Sequence, residues 1–485
     1  MNQVGDHQVG DRDPQARHSD RNPQASHRNR ILVIGGGLAG ITAALDCEAA
    51  GAEVTLLESR GRLGGQAYSF DRNGFIADNG QHVFLRCCTA YQELVARLGA
   101  TGLVTLQPRL DITVLGVDGE EVTRGRLHRS GLPAPLHLAR SLLQYPFLSM
   151  RRRLSVAVAM QALKSVDVDD PANDQVTFGA WLRAHRQGRR EIESMWDLIT
   201  RATVNLSCDE ASLAQAAYVF QEGILSSASA GDIGHATAPL SEIHDVAARA
   251  ALQRAGVDVR LRTGAAAIVP GKRGGFTVTC SGQEQLVCDG LILAVGPARM
   301  AALAPEGSGV DPASLLALGE SPIVNVHVVF DRPVLDVPFA AGAGTPVQWI
   351  FDRTASAGVT DGQYLVVTLS AAIPELGMSG ELIIERYLGA LRELLPAARE
   401  ASVQRAFVTR DHAATFRAAP GQRALRPAAA TALPALALAG AHTDTGWPAT
   451  MEGAVRSGHA AADVVLGALA SDTDMLEPAL SRSAA

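Results

Sequence analysis

The chain has 485 residues, of which 47% are hydrophobic and 19% charged, and its formal net charge is −7. That length points to two domains and the balance excludes a wholly disordered chain, while an acidic net charge gives no reason to expect nucleic acid as a partner. Lysine is confined to Lys164 and Lys272, so few positions can supply an amine to a reaction centre.

Residues 1–29 are polar, loosely self-repeating and without an apolar stretch, which predicts a disordered tail rather than a secretory signal. The pattern changes at Arg30. Ile31 to Ile34 form a continuous apolar run suited to a strand buried on both faces of a parallel sheet. A glycine turn follows: Gly35 permits the sharp bend, Gly37 lets backbone approach a pyrophosphate, and Gly40 lets the next helix, roughly Ala39 to Ala50, pack on the strand. The amides at that helix start, with Leu38 and Ala39 between the glycines, favour phosphate. A second strand, Glu53 to Leu57, ends in Glu58, placed to accept from a ribose hydroxyl and to disfavour a 2′-phosphate. This is a dinucleotide site. It continues as Glu58-Ser59-Arg60-Gly61-Arg62-Leu63-Gly64-Gly65-Gln66, a stretch that NAD sites do not need.

Later segments complete the nucleotide domain. Ala255 to Val269, a stretch that includes Ala265, read as helix end, strand and turn, and Phe276 to Cys280 and Cys288 to Ala294 read as further strands, the last running into a Gly296-Pro297 turn. Leu436 to Leu466 read as strand, loop and long helix. The expected fold class is α/β: a discontinuous Rossmann-like nucleotide domain over 30–110, 231–310 and 421–470, with an inserted α+β substrate domain over 111–230 and 311–420 and a disordered 471–485. The alternating stretch 323–330 and the strand-like 347–353 place a sheet in the inserted domain. No second strand-linked glycine fingerprint occurs, which argues against a built-in NAD(P)H domain. Cysteines at 47, 87, 88, 208, 280 and 288 contain no C-x-x-C pair, so neither zinc nor a dithiol redox motif is indicated and no metal is expected. Their free-thiol pattern and the lack of a long apolar run fit a cytoplasmic chain.

The run from Glu58 to Gly65 resembles the flavoprotein superfamily of amine oxidases, protoporphyrinogen oxidases and carotenoid desaturases, in which an arginine and glycines at the positions of Arg62, Gly64 and Gly65 lie along the FAD phosphates. Beyond it, DNGQHVFLRCCTAY at 78–91, VNLSCDEASLAQA at 204–216, SPIVNVHVVFDRPV at 321–334, QWIFDR at 348–353 and TGWPATMEGAVRSG at 445–458 resemble one family, the hydroxysqualene dehydroxylases. The resemblance implies a non-covalent FAD enzyme, with contacts at Gly35, Gly37, Leu38, Ala39, Gly40, Glu58, Ser59, Arg62, Gly64, Gly65, Gln66 and Ala265. At the flavin end it implies Gly440, Ala441, Ala449, Thr450 and Met451. Family members commonly carry an acidic residue where this chain has Ala441; His442 is one substitute, an ordinary loop histidine the other reading. Thr450 stands where amine oxidases place a cage aromatic, and no lysine is suitably placed, so the amine-oxidase reading is disfavoured.

The implied reaction replaces the allylic hydroxyl of a C30 isoprenoid by hydride from reduced FAD, giving squalene for squalene or hopanoid biosynthesis. A carotenoid-type desaturase and a flavin-binding scaffold are the alternatives. The reaction needs an acid, and His82 is the first candidate, a structural histidine being its other reading. Asp78 is the second, with service to the Asn79-Gly80 turn as its other role. Leu136 to Met150, followed by Arg151 to Arg153, is an apolar segment with a basic end. It offers a peripheral contact with the inner face of the membrane, against the alternative of ordinary domain core. Prenyltransferase-like enzymes of the same pathway are the implied protein partners.

Overall fold

The computed structural model describes residues 28–72, 74–118, 121–272 and 274–481. The expected disorder of 1–29 falls almost entirely outside them. The apolar run becomes β1 (Arg30–Ile34), the glycine turn leads into α1 (Leu38–Ala49), and β2 (Glu53–Glu58) pairs parallel to β1. The five-stranded sheet is parallel throughout, in the order 258–261, β2, β1, 290–293, 436–438. Buried Ile31, Val33, Leu56 and Ile292 explain why these strands carry no alternation: each face is covered, each such side chain contributing about 1.5–3 kcal/mol of burial. On one face α1 packs against the closing helix Met451–Ser481. Their approach is close: a Cβ on Gly458 would lie 2.4 Å from the Ala39 carbonyl oxygen. That helix runs on past 470, so the stretch 471–481 is helical where disorder is expected from sequence.

The segment 265–288 forms a separate three-stranded antiparallel sheet, Ala265–Pro270, Phe276–Cys280 and Gln285–Cys288, rather than extending the parallel one. A seven-stranded sheet draws its strands from both insertions, in the order 403–416, 320–330, 363–370, 349–352, 339–342, 111–118, 121–128. Val324, Val326 and Val328 turn one face of the 320–330 strand into a core with Ile383, Tyr387 and Leu391 of the helix Gly380–Leu394. The alternate residues Asn325 and His327 point the other way and are buried by hydrogen bonds. Asn325 Nδ2 donates to the Asn79 carbonyl at 2.9 Å, and His327 sits between the Tyr364 hydroxyl at 2.6 Å and the Thr409 hydroxyl at 3.0 Å. Helices of 150–220 cover Ile112, Phe339 and Phe351 elsewhere on this sheet.

Candidate active site

A single cavity of about 1270 Å³ runs from the glycine turn into the inserted domain. At its first end, Gly35 adopts φ +112° and a Cβ there would meet the Ala294 carbonyl oxygen at 2.2 Å; a Cβ on Gly40 would meet the Gly35 oxygen at 1.8 Å. Both positions therefore exclude a side chain. Gly37 differs: its added Cβ has only the Gly65 Cα, 3.7 Å away, so this backbone is open to the cavity it lines. Gly37 caps α1 without a side-chain hydrogen bond, and the first intrahelical donor is Ile41, bonded to the Gly37 carbonyl at 2.9 Å. The amides of Leu38, Ala39 and Gly40 are left for an anion. Glu58 is held by the amides of Gly36 at 2.8 Å and Arg60 at 2.7 Å and by the Ser59 hydroxyl at 3.1 Å. Oε1 takes the Arg60 and Ser59 donors, so Oε2, with the Gly36 amide alone, keeps room for a further one.

Two cofactor residues expected from sequence do not line this cavity. Gly40 is a packing position. Arg62 lies over the Tyr68 ring at 3.4 Å and donates to the carbonyls of Leu63 at 3.1 Å and Gly65 at 3.0 Å, bracing the Gly64-Gly65 turn instead of reaching into the cavity. Burial pushes its pKa down. The cavity arginines are Arg60 and Arg299, which the motif reading missed; Arg299 donates to the Ala265 carbonyl just behind the turn after the 290–293 strand. The Gly296-Pro297 turn was the available signal for that second one. Ser59, Gly64, Gly65, Gln66 and Ala265 do line the cavity.

At the other end Gly440, Ala441, Ala449, Thr450 and Met451 come to the same cavity from the C-terminal strand and the start of the closing helix. His442, offered as a substitute for an acid at 441, lines the same cavity. It is packed on Gly440, with Nε2 3.4 Å from the Met300 sulfur, and burial pushes its pKa down to about 4. The Gln81 amide nitrogen is buried at the cavity wall with no partner among the described residues, a donor held in reserve.

The two acid candidates separate. Asp78 Oδ2 accepts from Arg353 Nη2 at 2.7 Å, and Oδ1 accepts from the Ser69 hydroxyl at 2.7 Å and the Leu240 amide at 3.0 Å. It lies outside the main cavity wall, so Asp78 ties the 69–78 hairpin to the inserted sheet and is not positioned as a proton donor. His82 faces the cavity. Burial, with Arg353 nearby, pushes its pKa down against the pull of Asp78 and Asp411, so its imidazole is neutral at neutral pH.

Beyond the turn 79–82 the lining becomes apolar: Leu110, Ile112, Leu138, Leu142, Trp349 and Phe351. Such a chamber beside a dinucleotide cradle suits hydride exchange with a hydrocarbon-like substrate.

Residues 38–466 match the model of the flavin-containing amine oxidoreductase family. The chain belongs to that family. It is an FAD-dependent oxidoreductase, and the open helix start, the glycine cradle and the unpaired Gln81 donor fit that cofactor. When bound, FAD supplies hydride-transfer chemistry. Among curated relatives, a hydroxysqualene dehydroxylase of Rhodopseudomonas palustris is 29% identical over 90% of this chain and 98% of its own length. A zeta-carotene desaturase of Arabidopsis thaliana is 24% identical over 90% and 85%. An oxidoreductase from Methanosarcina mazei superposes with a TM-score of 0.68 at 17% identity, covering 89% of this chain and 99% of that one, and putrescine oxidase bound to putrescine gives 0.68 at 17% over 91% and 99%. At that identity these structures establish the fold: a Rossmann-like FAD domain joined to a substrate domain.

Proposed function

We propose that this family member catalyses reductive dehydroxylation of hydroxysqualene to squalene: the allylic C–O bond breaks, a C–H bond forms with hydride from reduced FAD, and the hydroxyl takes up the accompanying proton and leaves as water, so that alcohol and reduced FAD give hydrocarbon, water and oxidised FAD. The observation that carries the reading is the continuity of one cavity from nucleotide cradle to apolar chamber. Its volume, about 1270 Å³, exceeds the roughly 300–1,000 Å³ of ordinary ligand sites and leaves room for a lipid beside a dinucleotide. The relatives named hydroxysqualene dehydroxylase support the choice of substrate. Within this reading the chain's own residues orient and protect. Glu58 and the α1 amides hold the nucleotide, the apolar wall excludes water, and neutral His82 offers a hydrogen bond at the turn where the polar and apolar halves meet.

The zeta-carotene desaturase relatives favour a second reading, oxidation of a polyisoprenoid. Anaerobic incubation of chemically reduced protein with hydroxysqualene separates the two. Squalene formation is expected; activity confined to phytoene-like polyenes, with the protein in its oxidised form, overturns the first reading in favour of the second.

The lipid reaches this chamber from an anionic membrane surface. Leu136 lines the cavity and is also 55% exposed, which supports an opening there. Around it, Leu132, Leu143, Met150, Leu154 and Val158 are exposed, and Arg140 and Arg151 stand exposed without side-chain partners among the described residues. No helix among the described residues is long and apolar enough to cross a membrane.

A further inference from the structure

The helix Leu213–Phe220 passes directly into a π-helical turn, Gln221–Leu225. Such turns are rare and concentrate at functional sites, because the extra residue re-aims side chains at a cost in packing. Tyr218 in the helix and Glu222 in the π-turn, four residues apart, both line the cavity. Tyr218 packs edge-on against Trp447, with ring centroids 5.6 Å apart, and Trp447 leads into the Ala449-Thr450-Met451 segment at the cofactor end. Ile199 and Ile224, which pack on the apolar core of the inserted domain, line the same cavity. The pair thus stands at the boundary between the cofactor end and the lipid chamber.

Each other cavity carboxylate accepts at least one hydrogen bond or stands exposed. Glu58 is held by three donors, Asp411 Oδ1 accepts from the Ala413 amide at 3.2 Å, and Glu320 is exposed at the surface. Glu452 caps the helix Thr89–Leu98 through the amides of Ala90 at 3.2 Å and Tyr91 at 2.8 Å and pairs with Arg456 at 2.7 Å. Glu222 is half-buried and has no side-chain hydrogen bond among the described residues, and neither has the Tyr218 hydroxyl. Both side chains line the cavity, where a hydroxyl of a ligand can complete them. Cys87, Cys88, Glu452 and Arg456 are the titratable and charged groups near them, and Arg456 is already spent on Glu452 and on Trp447, whose ring centroid lies 4.8 Å away. Burial pushes the Tyr218 phenol up, which keeps it an O–H donor.

We propose that Tyr218 and Glu222 are the hydroxyl-recognition pair of the cavity: the phenol donates a hydrogen bond to the oxygen of an allylic alcohol and the carboxylate accepts one from its O–H, so the site selects the alcohol over a hydrocarbon of the same chain length. This rests on the dehydroxylase reading and names the residues that make it specific. A site built to pair a hydroxyl discriminates strongly against the analogue lacking it, since its own polar groups are then left unsatisfied.

The test is equilibrium binding to the oxidised holoenzyme, where no reductant is present, of hydroxysqualene and of squalene, read by quenching of tryptophan emission and by shifts in the flavin absorbance. The wild-type protein should bind the alcohol at least about tenfold more tightly than the hydrocarbon. Tyr218→Phe and Glu222→Gln should each cut that preference to about twofold or less while squalene affinity and flavin content stay unchanged; Tyr218→Phe removes one atom and guards against a folding defect in the other variant. Preference retained in both variants, or equal loss for alcohol and hydrocarbon, overturns the assignment. Squalene production by reduced wild-type protein is measured in parallel. Absence of a wild-type preference with turnover intact removes the pair and leaves the reaction standing, whereas absence of both removes both.

Discussion

Two glycines of the same turn should respond oppositely to one methyl group. Gly40→Ala drives a Cβ to 1.8 Å from the Gly35 oxygen, a clash with backbone that nothing can relieve cheaply, and should cost about 3 kcal/mol of stability. Gly37→Ala meets only the Gly65 Cα at 3.7 Å, so the fold should change by no more than about 0.5 kcal/mol while FAD affinity falls at least about tenfold. Denaturant melts and flavin titration check the pair; equal melting behaviour would remove the distinction. His82→Ala should leave FAD bound and slow turnover about tenfold, ~1.4 kcal/mol of barrier. Because burial already holds His82 neutral at neutral pH, the shape of the pH–rate profile above roughly pH 6.5 should not change. Unchanged turnover would deny His82 any role. At this scale the sequence was legible wherever a residue type has one job: a strained or sterically closed turn demands glycine, and an acid at the end of β2 can only face the turn. It was illegible for Arg60 against Arg62, two residues apart, because which one reaches the cavity depends on Tyr68 taking Arg62 onto its ring.

Between elements, the contacts that join distant segments are polar and specific. Asp78, 6% exposed, and Arg353, 8% exposed, join the 69–78 hairpin to the residue that follows the 349–352 strand, with Arg353 Nη1 also donating to the Ala236 carbonyl at 2.6 Å. Asp78→Asn strands a buried guanidinium and should cost about 3 kcal/mol, part of which Asp78→Asn with Arg353→Met restores. Equal stability of the single and double variants would contradict this. A different kind of pair, His459 with Asp46, links the closing helix to α1. The Asp46 hydrogen bond raises the pKa of His459, so its stabilisation is full below the unfolded value near 6.5 and is lost as pH rises through the raised one. Burial works against Asp46, but its bonds to His459 and Arg97 outweigh it and lower its pKa, so its contribution is lost as pH falls through that depressed value. With side chains 41% and 21% exposed the pair is worth only about 0.5 kcal/mol. His459→Gln should flatten the dependence of the denaturation midpoint on pH over roughly 6 to 8, and an unaltered slope would show the pair to be idle. Elements with a strong period were readable: β1, β2 and 320–330 followed from continuous or alternating apolar residues. The π-turns were not, although one of them, Glu242–Ala247, sets His244 on the Ala67 carbonyl at 3.1 Å and Asp245 on the Leu63 amide at 2.8 Å. A π-turn reflects tertiary packing and leaves no composition of its own.

For the molecule as a whole, the cradle at one end of the chain and the closing helix at the other share a cavity that the segment 132–163 helps to line, and the proposed route for lipid rests on how that segment is folded. Its helix Met150–Leu163 buries Val156, Ala159 and Leu163, and lines the cavity with Met160, yet a second stripe, Met150, Leu154 and Val158, faces outward, Val158 being 70% exposed. A helix apolar on both sides needs a second apolar partner. The arginine run read from sequence as a basic end is only partly available for it: Arg152 pairs with Glu191 at 2.6 Å, and Arg153 is bonded to the carbonyls of Leu143 and Leu148, so Arg151 and Arg140 remain for lipid phosphates. Binding should therefore be driven chiefly by apolar burial and only modestly by charge, each basic residue near an anionic surface adding about 1 kcal/mol. In a flotation assay the protein should rise with vesicles containing anionic lipid. Leu154→Asp with Val158→Asp should abolish flotation, and Arg140→Gln with Arg151→Gln should weaken it by about ten- to thirtyfold, with FAD content unchanged in both. Turnover of substrate dissolved in detergent should survive all four changes, whereas turnover of substrate presented in vesicles should fall with flotation. Failure of the wild-type protein to bind such vesicles, or loss of both activities together, would place the lipid's route elsewhere.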